Sequence, residues 1–281
     1  MQLTFSTPCG FGEGVLGASF GFAGAMDPAV NLRRTFPREL EGVLLTGSFS
    51  NILASVPAAD FKAGVVLLGN CGGEDAFVRA LQKKAGCPLT GGSAAIDPVT
   101  GAKALVMGRG EAAVYLITDR RCCITVESRN IHETVLEECS VVMESPRVFA
   151  SINGQEPVGW FTEKRRQHGI ADTDFEHMTL SDTLGVNAHL SVVNGKLCSG
   201  RDLEETMLLR MVEKENVLPR MQAFYDDPTA LICGCAGLKG ILPAPIVSPG
   251  TGLFLFGEVC TVKGESRFGN LMLSRLCVKE G

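Results

Sequence analysis

The sequence predicts an α+β fold: two docked α/β halves whose antiparallel-rich sheets are covered by helices. Three observations carry that expectation. Short apolar runs bounded by glycine, such as Gly64-Val65-Val66-Leu67-Leu68-Gly69, recur as buried strands should. Several runs are joined by links too short for a parallel crossover, so consecutive strands must pair antiparallel. Between them lie stretches with helical spacing and helix-stop residues. The 281 residues are 45% hydrophobic and 20% charged, a globular composition that excludes a disordered chain. That length fits one large or two modest domains. The strand–turn–helix grammar restarts near residue 146, which divides the chain into 1–145 and 146–281.

The first sixty residues are glycine-rich and poor in helix signals. Gly12-Glu13-Gly14-Val15-Leu16-Gly17 has the letters of a dinucleotide fingerprint. The region that should carry its acidic partner reads Arg33-Arg34-Thr35-Phe36-Pro37, so it is set aside. The 64–69 run is a strand. Glu74 to Ala85 is a helix with Ala76, Phe77, Ala80 and Leu81 on one face, Lys83 and Lys84 in its last turn, and Gly86 to stop it. Thr90-Gly91-Gly92-Ser93 follows as a turn. Ala104 to Met107, Ala112 to Thr118 and Cys123 to Val126 are successive antiparallel strands. His132 to Ser145 is a short helix or linker.

In the second half, Val148 to Ile152 is a strand ended by Asn153-Gly154. Pro157 to His168 is a helix, with proline in its first turn, Gly169 at its end and Trp160 as a packed anchor. Asn194-Gly195 joins the strands 187–193 and 196–198 as a hairpin. Leu203, Met207, Leu208 and Met211 have helical spacing, as does 214–224 around Pro219. Strands follow at 229–232, 252–262 and 271–278. The proline-bearing loop from Lys239 to Gly250 is long enough to form a rim or lid.

The bulk numbers narrow the partners. Net charge is −5 and the pI near 5.5, which opposes the neutralisation of nucleic-acid phosphates. Mean hydropathy is +0.18, but no stretch approaches the roughly 18 uninterrupted apolar residues of a membrane span. Met1-Gln2-Leu3-Thr4-Phe5-Ser6 lacks the basic and apolar regions of a signal peptide, so a cytoplasmic location is expected. The 11 cysteines are odd in number and sit mainly in apolar runs, as reduced core residues do. Cys233-Gly234-Cys235 is too tight for a zinc knuckle, and no metal or cofactor is expected.

Four segments together resemble the FIST domain family. Val148-Phe149-Ala150-Ser151-Ile152-Asn153-Gly154-Gln155-Glu156-Pro157-Val158-Gly159-Trp160 resembles the entry to its C-terminal domain. Ala230 to Gly237 resembles its strand ending in Cys-x-Gly. Phe256-Gly257-Glu258-Val259 resembles its aromatic-Gly-Glu segment, and Phe268-Gly269-Asn270 its Phe-His-Asn ending. Cys87 to Ala94 is similar to a turn of the N-terminal domain. Leu238 and Gly269 depart from the family's arginine and histidine. The resemblance implies a FIST N-like domain over 1–145 and a FIST C-like domain over 146–281. It also implies a stand-alone sensory, signal-transducing protein that binds a small polar metabolite such as an amino acid and works with a signalling partner.

The candidate ligand-binding residues are Cys235, Gly237, Gly257, Glu258, Asn270, Gly91, Gly92 and Ser93. Cys235 and Gly237 close a buried strand among small residues. Glu258 interrupts an apolar run, so it must be paired, at an edge or turned toward a cavity. Gly257 beside it permits close approach. Asn270 anchors a turn or a ligand, and Gly91, Gly92 and Ser93 form a turn or an anion-accepting nest. Two alternatives stay open. Cys235 is the candidate nucleophile of an acyl- or amide-transfer enzyme, which requires a base such as His189 within reach. A scaffold acting through a protein partner is the other.

Overall fold

The computed structural model describes residues 9–11, 40–69, 72–94, 110–130, 132–170, 179–214, 219–220, 224, 227, 230–235, 251–255 and 257–280. Along the chain come β1 (Cys9–Phe11), β2 (Gly42–Ser48), α1 (Phe49–Ser55), β3 (Ala63–Gly69), α2 (Glu74–Ala85), β4 (Leu89–Ala94), β5 (Glu111–Ile117), β6 (Cys122–Asn130) and β7 (His132–Ser145). They are followed by β8 (Val148–Ile152), α3 (Pro157–Gln167), β9 (Thr179–Ser181), β10 (Asn187–Ala188), β11 (Leu190–Val193), β12 (Lys196–Ser199) and β13 (Thr206–Lys214). The chain ends with β14 (Ala230–Cys235), β15 (Thr251–Leu255), β16 (Glu258–Val262), β17 (Glu265–Gly269) and β18 (Met272–Glu280). Strand dominates, and the described residues hold three helices.

Three sheets form. The first has the order β1-β15-β14-β18-β6, the second β17-β16-β4-β3-β5-β2, and the third β10-β9-β13-β7-β8-β12-β11. Pairing is antiparallel except for β3 with β4 and β14 with β15. The division at 145/146 falls in the turn between β7 and β8, which are hydrogen-bonded neighbours. Each sheet takes strands from both sides of that division.

The first two sheets stack face to face. Leu231 and Cys233 of β14 and Leu276 and Val278 of β18 meet Ala63 and Leu67 of β3 and Ala113 and Ile117 of β5. The opposite face of the second sheet packs on α1 and α2 through Ile52, Phe77, Val78 and Leu81. β3 is therefore buried on both faces, which is why its sequence is continuously apolar rather than alternating. The third sheet carries α3 on one face, with Trp160 and Phe161 against Val141, Phe149, Ile152 and Leu209. Trp160 is a buried anchor, as expected.

Helix α2 spans the expected residues, and Gly86 stops it at φ 67 with its N–H on the Gln82 carbonyl. Its buried stripe is Phe77, Val78, Leu81 and Ala85, rotated from the expected one; Ala76 is exposed. Asn153-Gly154, between β8 and α3, and Asn194-Gly195, in the β11–β12 hairpin, form tight turns with positive φ at both residues. The segment 132–145 is a strand and not a helix or linker. Cys139, Val141 and Met143 point inward while Ser140, Val142 and Glu144 point out. The helix expected at 203–212 is instead β13, held on one side by β7 and on the other by β9. Two flanking ladders outweigh a weak helical propensity. The turn expected at 90–93 is strand β4, paired on both sides. The strand expected over 252–262 breaks at Gly257 (φ 108), where the chain leaves the first sheet and enters the second. The strand at 104–107, most of the helix at 214–224 and the loop at 239–250 lie outside the described residues.

Candidate functional site

The expected site residues fall into two groups. Gly91, Gly92, Ser93, Cys235, Gly257 and Glu258 converge where the first sheet meets the second. Gly92 pairs with Glu258 and Gly91 with Val259. The Ser93 N–H donates to the Gly257 carbonyl at 2.9 Å. Cys235 is the last residue of β14 and stands opposite Leu255 in the parallel pair. Its thiol donates to the Glu258 carboxyl. Gly237 lies outside the described residues.

Packing explains the glycines. A Cβ on Gly91 (φ 130) would overlap the Val66 carbonyl, and one on Gly92 the Gly257 carbonyl. A Cβ on Gly257 would overlap the Phe268 ring. Gly91, Gly92 and Ser93 sit in a ladder, so they do not form the nest considered from sequence.

Glu258 is wholly buried. Burial pushes its carboxyl up to about 8, against hydrogen bonds from the Met272 N–H, the Cys235 thiol and the Gly257 and Glu258 N–H groups. Its Oε2 accepts from Met272 at 3.1 Å. Its Oε1 is buried without a hydrogen bond of regular geometry. At neutral pH the residue is mainly an uncharged acid, which can donate an O–H where a carboxylate could only accept. Cys233, on the same face of β14, is pushed up to about 12 by burial, so its thiol stays protonated. Nearby Thr90 and Ser274 share a hydrogen bond at 2.7 Å, and Ser128 donates to Ser274 at 3.0 Å.

Asn270 belongs to a second group. Its Oδ1 accepts from the His189 N–H at 3.2 Å, and its own N–H donates to the Asn187 carbonyl at 3.0 Å. It ties the turn before β18 to the third sheet. Asn130 does the same from β6, exchanging amide hydrogen bonds of 2.8 Å with Asn187. His189 lines a separate cavity of about 420 Å3 with Phe161 and Arg165, and burial lowers its pKa.

Sequence reasoning missed a third cluster, between α2, β17 and the start of the 200–207 segment. Arg267 makes a forked pair with Asp75, whose Oδ1 also accepts from the Phe268 N–H at 2.9 Å. Arg201, almost fully buried, donates to Asp182 at 2.8 Å. Arg147 bridges Glu74 and Asp202 at 2.6 Å each. The available signal was Glu74-Asp75 opening a helix; its cationic partners lie too far along the chain to be paired by inspection.

Fold and site together define a strand-rich protein with a buried thiol–carboxyl pair between two stacked sheets. No protein-family model, curated protein or solved structure matches the chain. Among the described residues, no helix is long and apolar enough to cross a membrane. Nine of the 11 cysteines have described side chains, and all nine are free thiols. No group of three or more His, Cys, Asp or Glu side chains is arranged to hold a metal ion among the described residues.

Proposed function

We propose that the protein is a small-ligand-binding protein of the FIST type. In this reading it serves sensing or signal transduction in the cytoplasm, and its ligand is an amino acid or a similar small polar metabolite. Glu258 is the central contact, with Cys235 and the 91–93 and 257 backbone around it. The observation that supports this reading is the buried Glu258 carboxyl, whose Oε1 lacks a regular hydrogen bond. An unsatisfied buried oxygen costs about 1–3 kcal/mol, a cost that a ligand's polar group would relieve. The protonated acid offers its O–H to a carbonyl or carboxyl oxygen, so the site selects ligands with acceptors over simple cations.

A panel of small polar metabolites screened by thermal shift tests this. At least one compound should raise Tm in the wild type, lose that effect in Glu258→Gln, and be recovered chemically unchanged. A panel with no active compound, or shifts that survive Glu258→Gln, would overturn the proposal.

The thiol–carboxyl contact favours one other reading, cysteine-dependent acyl or amide transfer. It requires one cysteine, Cys235, to label faster than the rest with a mild electrophile. Uniform slow labelling removes it. His189 belongs to the other group, where its backbone N–H is held by Asn270 and the residue lines the cavity beside α3.

A further inference from the structure

A second site follows from counting donors and acceptors in the missed ionic cluster. A cleft of about 150 Å3 opens between the N-terminal turn of α2, β17 and the 201–207 segment. By the liquid volume of water, roughly five waters or one small anion with part of its hydration fill such a space. Its charged lining is Asp75, Arg79, Arg201, Asp202, Glu204 and Arg267, three cations and three anions. Net charge therefore does not select the ligand; hydrogen bonding does.

Two of the acids, buried Asp75 and half-buried Asp202, are already used. Asp75 accepts from Arg267 and from the Phe268 N–H. Asp202 accepts from the Arg147 Nε on one oxygen and from the Gly73 N–H on the other. The arginines have donors left over. Arg201 is 1% exposed; its Nη2 serves Asp182 and the Val186 carbonyl, while its buried Nε has no acceptor. Arg267 spends Nε and Nη2 on Asp75, and its Nη1 stands 3.8 Å from Asp182, beyond hydrogen-bond length. Arg79 is half exposed and its contact with Glu204 is 4.0 Å long, so its guanidinium is free to turn. The adjoining helix start adds to the donor excess, because its N-cap, Gly73, has no side chain to cap the first turn.

We propose that this cleft binds a small oxyanion, a phosphate or a carboxylate group, held by Arg201, Arg267 and Arg79. Planar guanidinium groups match the paired oxygens of such groups. Arg201 and Arg267 form the fixed floor and Arg79 the movable rim.

The test uses the whole protein, titrated with inorganic phosphate and separately with acetate against chloride at equal ionic strength. Saturable rises in Tm and calorimetric binding are expected with phosphate, acetate or both; the stronger of the two identifies the group recognised. Arg79→Ala should weaken binding about tenfold while leaving Tm without the anion unchanged. Arg201→Lys, which keeps the charge but loses the Nε donor, should weaken it at least as much. Glu258→Gln should leave it intact, which separates this site from the one between the sheets. No response to either anion, or equal binding by wild type, Arg79→Ala and Arg201→Lys, would overturn the proposal.

Discussion

At the scale of single residues, the strongest constraint is Glu258. Its carboxyl titrates near 8 when folded and near 4.5 otherwise. Between those values the unfolded chain has given up a proton that the folded protein keeps. Folding stability is therefore fully present below pH 4.5, declines as pH rises toward 8 and is flat above. Urea midpoints should fall across that window in the wild type, while Glu258→Gln should hold its midpoint through it. An equal decline in both would assign the titration elsewhere. The glycines give a second prediction. Gly91→Ala or Gly257→Ala forces a side chain into backbone or ring atoms at positive φ, and should cost on the order of 3 kcal/mol or more in urea unfolding. Gly154→Ala, with nothing near its Cβ, should cost only about 1 kcal/mol, the penalty of its φ alone.

The same residues show what a sequence discloses. Glu258 stood out because a charge in an apolar run needs an explanation, and the structure confirms that it faces inward. Arg201, Asp182 and Arg267 did not stand out. Each sits in ordinary polar sequence, and only the fold makes them a buried cluster.

Among elements, local signals and long-range pairing compete. Strand β3, helices α2 and α3, and both Asn-Gly turns were readable, because each is fixed by residues within one turn or one strand. β7 and β13 were misread together, and for one reason. They are the longest mutual neighbours of the third sheet, and each finds its reason to be extended in the other. The acidic residues of β7 hide its period-two pattern, and the leucines and methionines of β13 fall as readily at helical spacing. Strand β17 and helix α1 escaped notice because both are short, although Ser48 caps α1 by accepting from the Asn51 N–H. Helix α2 and β17 are locked by the Asp75–Arg267 fork. Removing one partner of a buried pair leaves a stranded charge, so Asp75→Asn should cost about 3–5 kcal/mol, read as a lowered denaturant midpoint with unchanged slope. A loss under 1 kcal/mol would mean that solvent reaches the pair.

For the molecule as a whole, the interleaving of strands decides how it unfolds. Each sheet combines strands from both sides of residue 145, so neither half completes any of the three sheets alone. Fragments 1–145 and 146–281 should each give poorly dispersed NMR spectra when made alone, and the intact chain should unfold in one cooperative transition. A well-dispersed spectrum from either fragment would show that the half is an independent domain. Sequence could not reveal this, since strand order depends on partners that no local pattern names.

The place of β18, between β14 and β6, bears on how the protein comes into being. Ser128 and Ser274 sit side by side in that sheet yet are 146 positions apart in the chain. While the polypeptide is being made, β6, the end strand of its sheet, emerges with neither edge paired and waits for about half the sequence before its one neighbour exists. Distant pairings of this kind close slowly. The newborn chain therefore carries an open, sticky ribbon for much of its synthesis, and its yield in a cell will depend on chaperones that shield that ribbon until translation reaches the final strand.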